Sequence, residues 1–413
     1  QFKSNRELEG NSPGINTFIS NVTLANSVFT NQTAYKGAFI LGSFKSNITI
    51  QHSDFIAGTA TFGGAVFVES AYVSIESSRF SNCSALQGGG VMAERSGVVI
   101  LMSTFTQNIA LKSGGDLAIS EGTVKIVSSE FNLSKLNSLQ LISARFASVT
   151  YSSFKGCGES CILSQDSLSV AISNCTFIGS KANVGGAIYA TASLESASEF
   201  IITSNSFMNN TACAGGAVSF TQVNATVQKN KFVSNIAGCD PSEGGAVHVA
   251  IPENYTISFA DNSFTYNAAN AGGAVKWSDY APTFSGNTFN LNSAVYGKDF
   301  ASYIDRIDTM QNASYLTENI VSGQHVKDPF ELWLIDALGQ IVYSDNSTLC
   351  GIQLNEDEAE LYGTFEHAAE MGKIVLNDFT ILAKPGGNIS LVVECDGGYI
   401  DPFITALPLR LCQ

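Results

Sequence analysis

The stretch NSFTYNAANAGGAVKW (262–277) recurs along the chain with a fixed internal phase, as NSFMNNTACAGGAVSF (205–220) and CTFIGSKANVGGAIYA (175–190) show. A recurring Phe stands at 29, 55, 80, 105, 131, 154, 177, 207, 232, 264 and 289, with spacings of 23 to 32 residues. A Gly pair begins eight residues after it at Gly63, Gly88, Gly185, Gly215 and Gly272, nine after at Gly114 and twelve after at Gly244. Gly297, in VYGKDF, is a decayed last copy. A period near 25 is too short for the paired helices of helical repeats. Each unit instead alternates short β-rich runs (AYVSIESSRF, GVVILMSTF, EFIITSNSF) with Gly/Asn/Ser turns, which is a strand signature. One such unit cannot bury its own apolar side, whereas stacked units can. The chain is therefore expected to be all-β: a right-handed parallel β-helix of about eleven coils over 1–305, roughly 50 Å long at ~4.8 Å per coil.

In that stack the Phe residues form an interior aromatic ladder. Asn108, Asn210, Asn235, Asn267 and Asn292, each three residues after a Phe, hydrogen-bond along the axis. The Gly pair permits a tight turn and close backbone approach. The pattern weakens over 125–165, where FNLSKLNSLQLI replaces the Gly-Gly unit; coils with less regular turns are expected there. The insertions before Phe207, in IAGCDPSE (236–243) and before Phe264 read as loops on one side.

Past about residue 303 the repeat stops. Phe330, Leu332 and Leu334, then Ile341 and Tyr343, read as strands joined by a turn at Ala337-Leu338-Gly339. KIVLNDFTIL (373–382), NISLVVEC (388–395) and FITALPLRLC follow, the first two split by a turn at Lys384–Gly387. Strands at this spacing predict an immunoglobulin-like β-sandwich over 306–413.

Two features point outside the cell. None of its nine cysteines forms a metal-type CxxC pair, so disulfides in an oxidising compartment are expected. Cys213 and Cys239, one coil apart and nearly in phase, are expected partners. Cys350 and Cys395 are expected to bridge the sheets of the second domain. Cys157 is expected to bond Cys161 or Cys175, leaving Cys412 for Cys83, a missing segment or another molecule. The second feature is the sequon N-x-S/T, at Asn21, Asn31, Asn47, Asn82, Asn132, Asn174, Asn209, Asn224, Asn254, Asn312, Asn346 and Asn388. That is 12 of 32 asparagines, about twice chance, and implies N-linked glycans on the surface. The net charge of −15 argues against nucleic acid, which needs clustered Lys and Arg, and no apolar run is long enough to span a bilayer.

The pairing of Phe-x-x-Asn with GGA[VI], as in FMNN…GGAV (207–218), FVSN…GGAV (232–247) and FTYN…GGAV (264–275), resembles the repeat of polymorphic outer-membrane-type surface proteins. The resemblance covers about 25–300. It implies a long, surface-exposed, often adhesive β-helix. Similar repeats occur in very large protist surface proteins, where a sandwich segment like 318–413 follows. The sequence as read departs from the bacterial members in showing no C-terminal membrane-barrel pattern, which an autotransporter is expected to carry, and its sequon density points to the eukaryotic form.

β-Helices also host polysaccharide lyases and hydrolases, which need converging carboxylates or a Ca²⁺ cluster. Glu69 and Glu94, with Glu121 near the same height and Arg95 beside them, are the candidates for an acidic, Ca²⁺-binding strip; the alternative is a solvated strand edge. His52, His248, His325 and His367 are scattered, and Trp277 and Trp333 read as packing residues. The resulting expectation is a non-enzymatic extracellular structural glycoprotein that needs no cofactor and self-associates head to tail, its glycans and negative charge keeping rods from joining sideways. A cell-surface adhesin is the second reading and a polysaccharide lyase or hydrolase the third.

Overall fold

The computed structural model describes residues 2–3, 14–193, 197–240, 242–309, 321–326, 330–354, 359–384, 388–396 and 400–408. The chain divides into two compact units, Gln1–Ser293 and Ala294–Gln413, upstream of the expected boundary at 305/306. Residues 300–303 hydrogen-bond forward within the second unit. Ser302 N donates to Asp336 Oδ2 at 3.1 Å, Ala337 N to Ser302 Oγ at 2.9 Å and Gln340 Nε2 to Phe300 O at 3.0 Å.

The first unit is a parallel β-helix whose coils wrap through three long sheets. The Phe sheet has twelve strands, from Phe2–Lys3 to Thr288–Asn290, with every recurring Phe in register. In that sheet the backbone of Phe2 pairs in register with Phe29. The long-strand sheet has eleven strands, mostly of five residues, from Asn21–Ala25 to Thr283–Ser285. The post-glycine sheet follows each Gly pair and starts at Ile15–Phe18. Successive Phe rings stack 4.7–5.1 Å apart with planes within 11°, a spacing imposed by the strand separation of the sheet. Between Phe29 and Phe264 all of them are sealed from solvent.

The Asn positions behave as the sequence implies. Asn210, Asn235 and Asn267 each donate Nδ2 to the Oδ1 of the next coil's Asn at 3.0 Å, ending on Asn292. A second ladder, two residues before each Phe, escaped the sequence pattern. The backbone N–H of Ser27, Ser53, Ser78, Ser103 and Ser129 donates to the next coil's Ser Oγ at 3.1–3.2 Å. The chain of bonds then passes through Cys175 to Asn205, Asn230, Asn262 and Asn287. Both ladders satisfy buried turn amides that would otherwise cost about 1–3 kcal/mol each.

Register continues through 125–165: Phe131, Phe154 and Phe177 pair in sequence. What those coils lack is a fourth side. That side is stranded over Thr33–Lys36, Thr59–Phe62, Ser84–Gln87 and Ile109–Ser113 and resumes at Thr211–Ala212. The three insertions do not share one side, contrary to expectation. Those before Phe207 and Phe264 follow post-glycine strands ending at Thr191 and Ala250, while 236–243 lies on the fourth side. Each coil has several corners, and an insertion at any of them leaves the ladders in phase.

The second unit holds small antiparallel sheets, and the expectation of an immunoglobulin-like sandwich is met only to that extent. The 337–339 turn forms, with Gly339 N donating to Asp336 O at 2.8 Å. Ile341 makes a bridge to Ile335, but Tyr343 lies in a turn rather than a strand. KIVLNDFTIL is not one strand: Asp378, with φ of 63°, breaks it into Lys373–Leu376 and Phe379–Leu382, which join different sheets. Residues 385–387 of the expected Lys384–Gly387 turn, Asn312 and Cys412 lie outside the described residues.

Candidate functional site

Sequon asparagines gather on part of the coil's perimeter. Asn31, Asn82 and Asn209 occupy the corner after the Phe strand, and Asn174 the corner before it, all with φ of 53–54°. Asn tolerates this left-handed backbone better than other non-glycine residues, so local geometry accounts for part of the sequon enrichment. Asn21 and Asn47 are register partners that open long strands. All six are exposed, as are Asn254 and Asn346, whereas Asn132 and Asn224 are half-buried. Asn224 Oδ1 also accepts from Thr256 N at 2.8 Å. Asn388 opens the strand Asn388–Cys395.

The acidic strip is shorter than expected. Glu69 and Glu94 are register partners, but Glu94's next neighbour is Ser120. Glu121 sits one residue further on, in a left-handed corner at the level of Arg95. Glu69 is already engaged by Arg95 and, at 3.7 Å, by Lys36. Among the described residues no three His, Cys, Asp or Glu side chains converge in a way that would hold a metal.

Disulfides join Cys157 to Cys161, Cys213 to Cys239 and Cys350 to Cys395. The last differs from the expected bridge between sheets: Cys350 and Cys395 are direct neighbours on adjacent strands of one sheet. Cys83 and Cys175 are free and buried. Each occupies a ladder position, and burial pushes their thiols up to about 12 and about 11. Cys83 therefore faces the core and is sealed from any outside partner.

Beside Cys83, inside the β-helix, lies a carboxyl that the sequence did not foretell. Asp116 is fully buried at the Ala position of GGA[VI] and accepts from Asn108 Nδ2 at 2.8 Å. Burial raises its pKa from 3.8 to about 7, against hydrogen bonds from Asn108 and Ser138 that lower it. A raised acid stays protonated in the fold after it has ionised in the unfolded chain. Stability therefore falls as pH rises from 3.8 to about 7. Over that window the loss is on the order of 4 kcal/mol. Asp116→Asn should flatten this slope, being the more stable form at pH 8 and near parity at pH 4. Urea midpoints of both proteins across that range check it, and parallel curves would refute it.

The structure also gathers a polar cluster that the scattered histidines did not foretell. Tyr189, Ser219, His248 and Lys276 form one outward column on the post-glycine sheet. His248 lies 3.4 Å from Ser219 Oγ through Nδ1, and 3.1 Å from Ser278 Oγ and 3.4 Å from Glu243 Oε2 through Nε2. The hydrogen bond with His248, then the charge of Lys276, holds the Glu243 carboxyl below its ordinary value. An acyl-transfer relay needs acid and hydroxyl on opposite ring nitrogens. Glu243 and Ser219 do flank opposite nitrogens, but Ser219 is sealed from solvent and so out of reach of a substrate, and Ser278 shares Nε2 with the acid, so the cluster works as a staple between coils. Its only sequence signal is the residue after GGA[VI], whose identity changes at every coil. His52 is exposed in a corner, and His325 pairs with Asp378 at 2.8 Å. Burial lowers the pKa of His367. Trp277 packs near Phe284, and Trp333 edge-on to Tyr343.

A family model described as a right handed beta helix region matches residues 89–254. No curated protein matches the chain. No helix of the described residues is long and apolar enough to cross a membrane. Such β-helices occur both as enzymes and as non-enzymes. The unbroken parallel register and the matched region together make this a right-handed parallel β-helix repeat protein.

Proposed function

We propose that the chain is the rod of an extracellular structural glycoprotein that assembles end to end, as the surface proteins its repeat resembles would imply. One observation carries this reading: what the repeat preserves is core, and what faces solvent drifts. The Phe, Asn and Gly-Gly positions are buried, while the exposed corners hold sequon asparagines. Three disulfides suit an oxidising compartment. A stack of equivalent coils offers a heterologous contact that propagates rather than closes.

Intact mass of protein secreted from eukaryotic cells should fall by several glycans on enzymatic deglycosylation. An unchanged mass would sink the glycoprotein half. Light scattering across a concentration series should show growing species; a strict monomer would favour the adhesin reading instead. That second reading has its own support in the exposed Phe18–Phe44 pair, with ring centroids 5.0 Å apart, since clustered aromatics anchor protein contacts.

A further inference from the structure

The sequons do not surround the rod. On the outer face of the long-strand sheet, the first outward column reads Asn21, Asn47, Tyr72, Gly97, Thr123, Phe146, Ser169, Glu199, Asn224. Sequons stand at both ends of that column, and the coils between them carry none on this face. Asn174 lies at its rim, in the following corner. Within the window the surface turns apolar. Tyr72 lays its ring against Gly97, with Tyr72 Cδ2 only 2.9 Å from where a Cβ would be. Val99, Leu101 and Val127 point outward beside it, half-buried. Phe146, Ile201, Leu168 and the corner residues Met102 and Tyr151 are exposed. In a chain of net charge −15, the outward strand positions of the window include Glu76, Lys125 and Glu199 as their only charges.

We infer that this window is a lateral contact between two copies of the chain, paired face to face and antiparallel. The inference rests on the glycoprotein reading only for its borders. Its occupant follows from shape, area and charge. A flat face of evenly spaced strands complements another such face, and sheets pack about 10 Å apart. Six coils at about 4.8 Å by five residues at about 3.3 Å give a face of about 500 Å². Two such faces bury about 1,000 Å², the lower bound for a specific interface. A two-fold axis along the strands, between Thr123–Val127 and Phe146–Thr150, sets Lys125 opposite Ser148 of the other copy. Parallel rods would instead oppose the two Lys125 ammonium groups, which is why the antiparallel arrangement holds. The same axis sets Asn47 opposite Asn224 of the other copy, one coil beyond the window, so glycans there border the contact and must splay away from it for the faces to close.

Sedimentation of the full chain, made once without glycans in an oxidising bacterial compartment and once secreted from eukaryotic cells, tests this. Both preparations should show reversible side-by-side pairing, on top of whatever end-to-end growth occurs. Val99→Glu should raise its dissociation constant at least tenfold, and Gln107→Glu, at a corner outside the window, should leave it unchanged. Ser148→Asn, which makes a sequon with Thr150, should lose side-by-side pairing when secreted and keep it when unglycosylated. The two forms share one polypeptide, so a folding defect cannot mimic that result. A monomer at every concentration up to about 100 µM without glycans, or a dimer indifferent to Val99→Glu, overturns the inference. A secreted wild type that carries no glycan sinks the glycoprotein reading alone, because the unglycosylated dimer and its response to Val99→Glu are read independently.

Discussion

Phe232→Ala should destabilise the β-helix by about 3–5 kcal/mol, the range for truncating a fully buried aromatic side chain. Phe232 has no exposed surface and lies between Phe207 and Phe264, each 4.8 Å away with planes within 6°. Strand pairing fixes the coils on either side, so the wall cannot collapse into the space left behind, and the high end of the range is expected. In a solenoid each coil contacts only its neighbours, so the loss falls on two interfaces at once. Urea unfolding followed by Tyr and Trp fluorescence reads it, with Phe232→Leu as a companion that keeps most of the volume and loses less. A change under about half a kcal/mol, the usual surface value, would mean that Phe232 is not in the ladder.

That register was legible in the sequence because Phe is the residue that does not change. A stacked ring is worth most against another ring, so identity is kept and a fixed spacing betrays it. The second polar ladder was invisible for the opposite reason. Its requirement is one acceptor per coil for the backbone N–H of the coil before, and Ser129, Cys175 and Asn205 all provide it. Chemistry persists along that column while the letter changes twice. The left-handed corners were hidden further still. Met102, Tyr151 and Leu291 adopt φ of 46–52°, a conformation that costs about 1–2 kcal/mol for such residues. They hold it through lateral bonds such as Met102 N to Val127 O at 3.0 Å and Tyr151 N to Ser173 O at 3.1 Å, and nothing local in the sequence announces such bonds.

The second unit was read less well because spacing alone does not say which strands pair. Asn377-Asp378 looked like part of one strand, yet it is where the chain changes sheets. The Cys350–Cys395 pairing was expected from a sandwich reading of the strands, but its place within one sheet depends on register. The His248 staple needs three coils in register before its members meet. A one-residue error of the kind made for Glu121 is enough to dissolve such a cluster.

Gly245→Ala should be at least as damaging as the loss of Phe232, and for a different reason. A Cβ on Gly245 would overlap Gly273 O and come within 2.6 Å of Ala268 N and 2.7 Å of Ala268 C, all backbone atoms of the next coil. No side-chain rotation relieves this. The coils must part where Gly245 N donates to Gly272 O at 2.9 Å and Ala246 N to Ala274 O at 3.0 Å. Backbone contacts of this kind belong to the exceptional class of substitutions that cost more than about 4 kcal/mol. Gly179→Ala is the informative comparison. Gly179 has φ of 66°, but an added Cβ there meets nothing within 4 Å. Its cost is conformational alone, about 1–2 kcal/mol. Hydrogen exchange separates the two cases, because a parted interface releases the coils beyond it. In Gly245→Ala, amides of 263–293 should lose protection while those of 46–101 keep theirs. In Gly179→Ala protection should fall little anywhere. Equal, small effects at both positions would show that the Gly pair serves only its turn dihedral, and that the close approach of successive coils does not constrain this sequence.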